Sequence, residues 1–109
     1  HGDIEKLERV KELIDEAIPV YPGNDVLCKE TFLNEFKLTI GFKYLFKMTP
    51  YDYYMQCKMK LGKQLLKKPQ HSVEGVAFLL GYDGSSAFIK EFKKMFDDTP
   101  GKYKKSNVY

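Results

Sequence analysis

Phe42-Lys43-x-x-Phe46-x-x-Thr49-Pro50-x-x-Tyr53 returns fifty positions later as Phe92-Lys93-x-x-Phe96-x-x-Thr99-Pro100-x-x-Tyr103, with six residues matched in one register and three of them aromatic. Agreement of that extent marks two copies of one supersecondary unit. Thr before Pro supplies an N-cap oxygen followed by a residue whose fixed φ suits a first helical turn. The two phenylalanines lie four apart and share a face of the preceding helix, while the tyrosine falls on the first turn of the next. The repeat therefore specifies a helix, a short turn and a second helix locked by three rings. A purely structural helical hairpin satisfies the same pattern. A duplicated unit also suits a repeated ligand, and DNA offers the same groove once per helical turn.

Working outward from the repeat, hydrophobic spacing predicts an all-α chain. Ile4, Leu7, Val10, Leu13, Ile14, Ala17 and Ile18 follow helical periodicity, and Pro19 and Pro22-Gly23 end that helix. Asp25 is a candidate cap for a short helix to about Thr31, and Asn34 for a longer one to about Lys47 whose apolar face holds Leu38, Phe42, Leu45 and Phe46. Thr49-Pro50 opens the longest helix, which Pro69 stops near Lys68. It bears two stripes, Tyr54, Cys57, Leu61 and Leu65 on one side and Met55, Met59, Gly62 and Leu66 on the other. Its residues 51 to 68 would span about 27 Å, comparable with the roughly 34 Å between successive major-groove faces of B-DNA. Ser72 caps a fifth helix, Gly81 supplies a turn, Asp83 is the candidate cap of a sixth, and Thr99-Pro100 starts a last one to about Lys105. His1-Gly2 reads as a cloning remnant, and Ser106 to Tyr109 as a frayed end.

Composition narrows the function. At 109 residues, 43% of them hydrophobic, the chain has material for one modest domain or two very small ones. The net charge of +3 hides a division: residues 1 to 36 carry nine acids against four bases, residues 37 to 109 fourteen bases against six acids. An acidic leader on a basic body suggests that the body meets a polyanion, although a Lys-rich solvated surface gives the same count. Lysine provides 17 of the 18 basic residues, Arg9 being the exception, so the bidentate guanine readout typical of arginine is not expected. No apolar run reaches membrane-spanning length and no signal sequence opens the chain, which predicts a soluble, cytoplasmic protein. Cys28 and Cys57 have neither CxxC spacing nor a nearby His pair, and read as small core residues; His71 reads as a linker residue. No nucleophile, base and orienting acid can be assembled, so neither catalysis, a metal nor a cofactor is expected.

The second unit can be read whole as Ser72-Val73-x-x-Val76-Ala77-x-x-x-Gly81-Tyr82-x-x-x-Ser86-x-Phe88-x-Lys90-x-Phe92-Lys93-x-x-Phe96-x-x-Thr99-Pro100-x-x-Tyr103-Lys104. This resembles the AraC/XylS-type transcription regulators, and the likeness extends back through Asn34-Glu35-Phe36-Lys37-Leu38 to cover roughly residues 25 to 105. The resemblance implies about seven helices, with two helix-turn-helix subdomains joined by a long linker helix and two recognition helices entering adjacent major grooves of double-stranded DNA. In that frame residues 1–24 are a leader helix and linker from a missing N-terminal effector or signalling region, 25–50 the first helix-turn-helix, 51–68 the connecting helix, and 69–109 the second helix-turn-helix with a C-terminal helix. RNA polymerase is the implied protein partner. The DNA-facing residues carried over are Phe36, Lys37, Thr39, Ile40 and Lys43 in the first unit and Ser85, Ser86, Ile89 and Lys90 in the second, with Lys93, Lys94 and Lys104 on phosphates. The family usually has glycine where Phe32, Lys47 and Asp97 stand, and arginine where Lys58, Lys90 and Lys104 stand. Two rival classes remain: a helical protein-interaction module without DNA binding, and a DNA-repair methyltransferase whose reactive cysteine would lie elsewhere.

Overall fold

Every N-cap that the sequence offers as Thr, Ser or Asn is used. In the computed structural model, which describes residues 2–106, the Asp52 amide donates to Thr49 Oγ1 at 3.0 Å and the Thr49 amide to Asp52 Oδ2 at 3.3 Å, a reciprocal capping box. In the second copy the Lys102 amide donates to Thr99 Oγ1 at 3.2 Å, and because Lys102 cannot accept, the Thr99 amide turns to Asp98 Oδ1 at 2.9 Å. Asn34 Oδ1 accepts from the Lys37 amide and Ser72 Oγ from the Gly75 amide, at 2.8 and 2.9 Å. The two aspartates do not cap. α2 begins at Asn24 after Gly23, whose φ of 96° turns the chain one residue earlier, and Asp25 sits inside the first turn, where its charge favours the helix dipole. α6 begins at Ser85 after Gly84, leaving Asp83 one residue too far upstream.

The resulting elements are α1 (Gly2–Ala17), α2 (Asn24–Thr31), α3 (35–46), α4 (Pro50–Leu66), α5 (Val73–Leu79), α6 (Ser85–Phe96) and α7 (Pro100–Ser106), with no strand among the described residues. Within α3 the turn Lys37–Gly41 is π-helical and only Phe42–Phe46 returns to α geometry. Thr39 Oγ1 donates to the Glu35 carbonyl at 2.8 Å, the oxygen that the Thr39 amide would use in an α-helix, and this competition favours the wider turn. His1 and residues 107–109 of the expected ends lie outside the described residues; Gly2 and Ser106 are helical.

The chain divides into two compact units, His1–Cys57 and Lys58–Tyr109, so the boundary falls inside α4. The first unit buries Leu7, Val10 and Ile14 of α1 with Leu27, Leu33, Leu38, Phe42 and Tyr54. The residues read as a leader, 1–24, thus supply a wall of the first core. The second unit buries Met59 and Leu66 of α4 with Val76, Ala77, Leu80, Phe88, Phe92 and Pro100. Gly62 on the same stripe allows a close approach, because a Cβ there would press on Leu80 Cδ1 at 3.0 Å and the Phe88 ring at 3.2 Å, and both would have to give by a few tenths of an ångström. Cys28 and Cys57, expected in the core, are only half-buried and form no disulfide.

The ring lock is built twice with nearly the same dimensions. Phe42 meets Phe46 at 4.6 Å and Tyr53 at 6.2 Å; Phe92 meets Phe96 at 4.7 Å and Tyr103 at 5.9 Å. Each pair of outer rings is covered by an ammonium. Lys11 of α1 lies 4.3 Å from Phe46 and 5.0 Å from Tyr53, and Lys63 of α4 lies 4.2 Å from Phe96 and 5.2 Å from Tyr103. α1 and the second half of α4 therefore perform the same task, each in its own unit.

Three helices end on left-handed residues that are not glycine: Phe32 (φ 61°), Lys47 (φ 67°) and Asp97 (φ 60°). These are the three positions where the resemblance led one to expect glycine, so the turns keep the glycine conformation without the residue. The Lys47 and Asp97 amides each donate back, to the Lys43 and Lys93 carbonyls, at 2.8 Å. Phe32 has no burial to offset its strain, being 85% exposed. Phe32→Gly should stabilise the protein by up to about 1 kcal/mol, part of the relief being returned as unfolded-chain entropy; a lowered urea midpoint would contradict it.

Around the α1–α2 connection, Tyr21 packs against Tyr51 and Tyr54 at 5.3 and 5.1 Å and its hydroxyl donates to Asn24 Oδ1 at 2.7 Å. Burial, more than the nearby Cys28 and Tyr51, pushes its phenol up to about 12. A phenol that ionises later in the folded state favours folding below the ordinary value near 10, and that advantage is lost as pH rises from about 10 to 12. Denaturant melts in that window should show stability falling with pH, and Tyr21→Phe should make the fall shallower.

Candidate nucleic-acid interface

In each unit a short helix, a turn and a longer helix follow in order: α2 into α3, and α5 into α6. From Leu38 to Pro50 and from Phe88 to Pro100 the alternation of buried, half-buried and exposed positions is the same residue by residue. Leu38 and Phe42 correspond to Phe88 and Phe92, all four with no exposed surface. The second helix of each unit is thus held by one pair of side chains, and its opposite face is free to vary.

That outer face carries most of the residues expected to face DNA. Phe36 is 71% and Ile40 52% exposed, and Lys43 lies beside them in solvent. Thr39 is half-buried, its hydroxyl donating to the Glu35 carbonyl. In the second unit Ser86, Lys90, Lys93 and Lys94 are exposed, while Ser85 and Ile89 are half-buried. Two expected residues are occupied elsewhere. The Lys37 ammonium pairs with Asp3 of α1 at 3.0 Å. The Lys104 ammonium reaches the Leu66 and Lys68 carbonyls at 3.3 and 3.1 Å, where it closes the C-terminal end of α4. α4 accordingly stops at Leu66, two residues before the expected end, with the Lys67 and Lys68 amides turning back to the Gln64 and Leu65 carbonyls.

Lys58 has a structural place as well. It is buried, with its ammonium 4.0 Å from the Tyr82 ring, and the Tyr82 hydroxyl is bonded to Glu91. Burial lowers its pKa, which Glu91 partly opposes. The outer face of α3 carries one further exposed ring. Tyr44, 81% exposed, continues the line of Phe36 and Ile40, and the Lys47 ammonium lies 5.4 Å from its ring. Its position outside the Leu38/Phe42/Leu45 stripe was the available signal. Among the described residues no group of three or more His, Cys, Asp or Glu is placed to hold a metal ion, and no helix is long and apolar enough to cross a membrane.

These features can be set beside known proteins. The family described as a helix-turn-helix domain matches residues 27–106. The transcriptional regulator AlkR of Acinetobacter baylyi is 28% identical over 95 residues, which are 84% of this chain and 31% of that protein. The chain spans less than half the length of the first curated relatives it matches. Among solved structures, an AraC-type DNA-binding regulator from Chromobacterium violaceum superposes with a TM-score of 0.88 at 20% identity, covering 98% of this chain and 96% of that one. The DNA-binding domain of AdpA, solved with a target DNA, gives 0.79 at 18% identity, covering 92% and 90%. With two helix-turn-helix units on an all-α scaffold and a family match across most of its length, the chain belongs to the AraC-type helix-turn-helix family of transcription regulators.

Proposed function

We propose that this chain is the sequence-specific, double-stranded-DNA-binding part of a bacterial AraC-type transcription regulator, with α3 and α6 as its recognition helices in adjacent major grooves. The observation that carries this reading is the duplicated helix-turn-helix, whose second helix twice turns a lysine-bearing face to solvent. A likeness in fold to the AdpA domain, which was solved on DNA, supports it. Lys43, Lys90, Lys93 and Lys94 then neutralise phosphates and position the helices, while base edges are read by Phe36, Thr39, Ile40, Ser85, Ser86 and Ile89. Lys37 and Lys104 join only if they exchange Asp3 and the α4 carbonyls for phosphate.

The work of such a chain is binding rather than catalysis. It would act in the cytoplasm, with RNA polymerase as its protein partner and an effector or signalling region in the part of the regulator that relatives such as AlkR possess beyond the matched segment. Selection of bound duplexes from a random DNA pool tests the reading: a consensus of two boxes is expected, and recovery of no preferred sequence would overturn it.

A further inference from the structure

The scaffold repeats between 38–50 and 88–100, but the outward residues do not. Where the first unit presents Phe36, Ile40 and Tyr44, the second presents Ser86, Lys90 and Lys94. The first row leaves three large apolar side chains in water on a helix whose buried face is already filled by Leu38 and Phe42. Such a row costs solubility and contributes nothing to the core.

The π-helical turn gives that row its shape. Positions eight apart on a regular α-helix drift by about 80° around the axis. The turn Lys37–Gly41 is wider, advances less per residue and so cancels part of the drift, bringing Phe36, Ile40 and Tyr44 closer to one line. α6 is α-helical throughout, and its row of Ser86, Lys90 and Lys94 keeps the drift. The apolar line is flanked by the exposed Lys43 and by Lys47, whose ammonium lies 5.4 Å from the Tyr44 ring and donates to the Tyr44 carbonyl at 3.2 Å, so an occupant that combines apolar groups with negative charge suits it. In the major groove that combination is the thymine 5-methyl group beside the phosphate backbone.

We infer that the two units divide the reading of one site by chemistry: α3 reads thymine methyl groups through Phe36, Ile40 and Tyr44, and α6 supplies cationic contacts through Lys90 and Lys94. This rests on the DNA-binding reading and sharpens it. Specificity in the first box is then hydrophobic and salt-insensitive, while the second box carries the greater share of the electrostatic affinity.

The test uses duplexes selected by the protein from a random pool, in which each thymine is replaced in turn by deoxyuridine so that only the methyl group is lost. Loss of one contacted methyl should weaken binding about fourfold, by the transfer free energy of one methylene-sized group. Thymines that matter should cluster in one box. Their effect should vanish in the Ile40→Ala or Phe36→Ala proteins, whose truncated side chains are exposed and leave the core intact, and should persist in Lys90→Ala although overall affinity falls. Duplexes that bind equally well with uracil throughout overturn the inference, as does a methyl dependence abolished by Lys90→Ala and untouched by the two apolar variants. Failure to select any sequence removes the DNA-binding reading itself, an outcome distinct from a selected site indifferent to its methyl groups.

Discussion

Phe92→Ala is expected to lower the unfolding free energy by about 3–5 kcal/mol, a large part of the roughly 5–15 kcal/mol that keeps a small protein folded. Phe92 is fully buried and meets Phe88 edge-on at 5.7 Å, Phe96 at 4.7 Å and Tyr103 at 5.9 Å, so truncation removes its own burial and strips three rings of a neighbour. Lys63 would lose the packed rings over which its ammonium sits. Because Phe42 is equally buried and meets Phe46 at 4.6 Å, Phe42→Ala should cost a similar amount in the first unit. Met95, on the same helix as Phe92 but 37% exposed, serves as the comparison, and Met95→Ala should cost clearly less, about 1 kcal/mol. Urea titrations of the three variants decide it. If Phe92→Ala were as mild as Met95→Ala, the repeated ring lock would not be what holds the unit together.

DNA affinity is expected to fall about a hundredfold between 50 and 200 mM monovalent salt. Four phosphate contacts, from Lys43, Lys90, Lys93 and Lys94, give a slope of roughly −3.6 in log affinity against log salt, and each lysine removed should flatten it by about 0.9. Lys90→Ala should weaken binding by about 1 kcal/mol or more at low salt. Lys104→Ala should leave the slope nearly unchanged, because that ammonium is held by the Leu66 and Lys68 carbonyls. A flat salt dependence, measured by gel shift or fluorescence anisotropy, would instead favour a helical surface that binds another protein.

Much of this fold is legible in local sequence because its determinants are local. A Thr-Pro pair, an Asn or Ser three residues ahead of a free amide, and phenylalanines four apart each act within one helical turn, and each is found where its chemistry places it. The two aspartate caps fail for an equally local reason: Gly23 and Gly84 take the cap positions first. What stays hidden depends on distant partners. Nothing near Lys104 in sequence indicates the α4 carbonyls, nothing near Lys37 indicates Asp3, and the apolar edge of α1, though legible as Leu7, Val10 and Ile14, does not reveal that its partner is the core of the first unit. The π turn is also invisible to periodicity, since it leaves Leu38 and Phe42 buried as an α-helix would. For the interface, sequence indicated which side of α3 and α6 faces outward, but not which lysines are already engaged within the protein.

The boundary between the two units inside α4 governs how this protein can be dissected. Tyr53 and Tyr54 close the first core and Met59, Gly62 and Leu66 the second, so a cut before Tyr54 strips the first core, a cut after Met59 strips the second, and a cut between them halves the helix that carries both. Separate fragments that keep both their core and an intact helix must therefore overlap, one running to Leu66 and the other starting at Thr49, each carrying its own copy of the same helix.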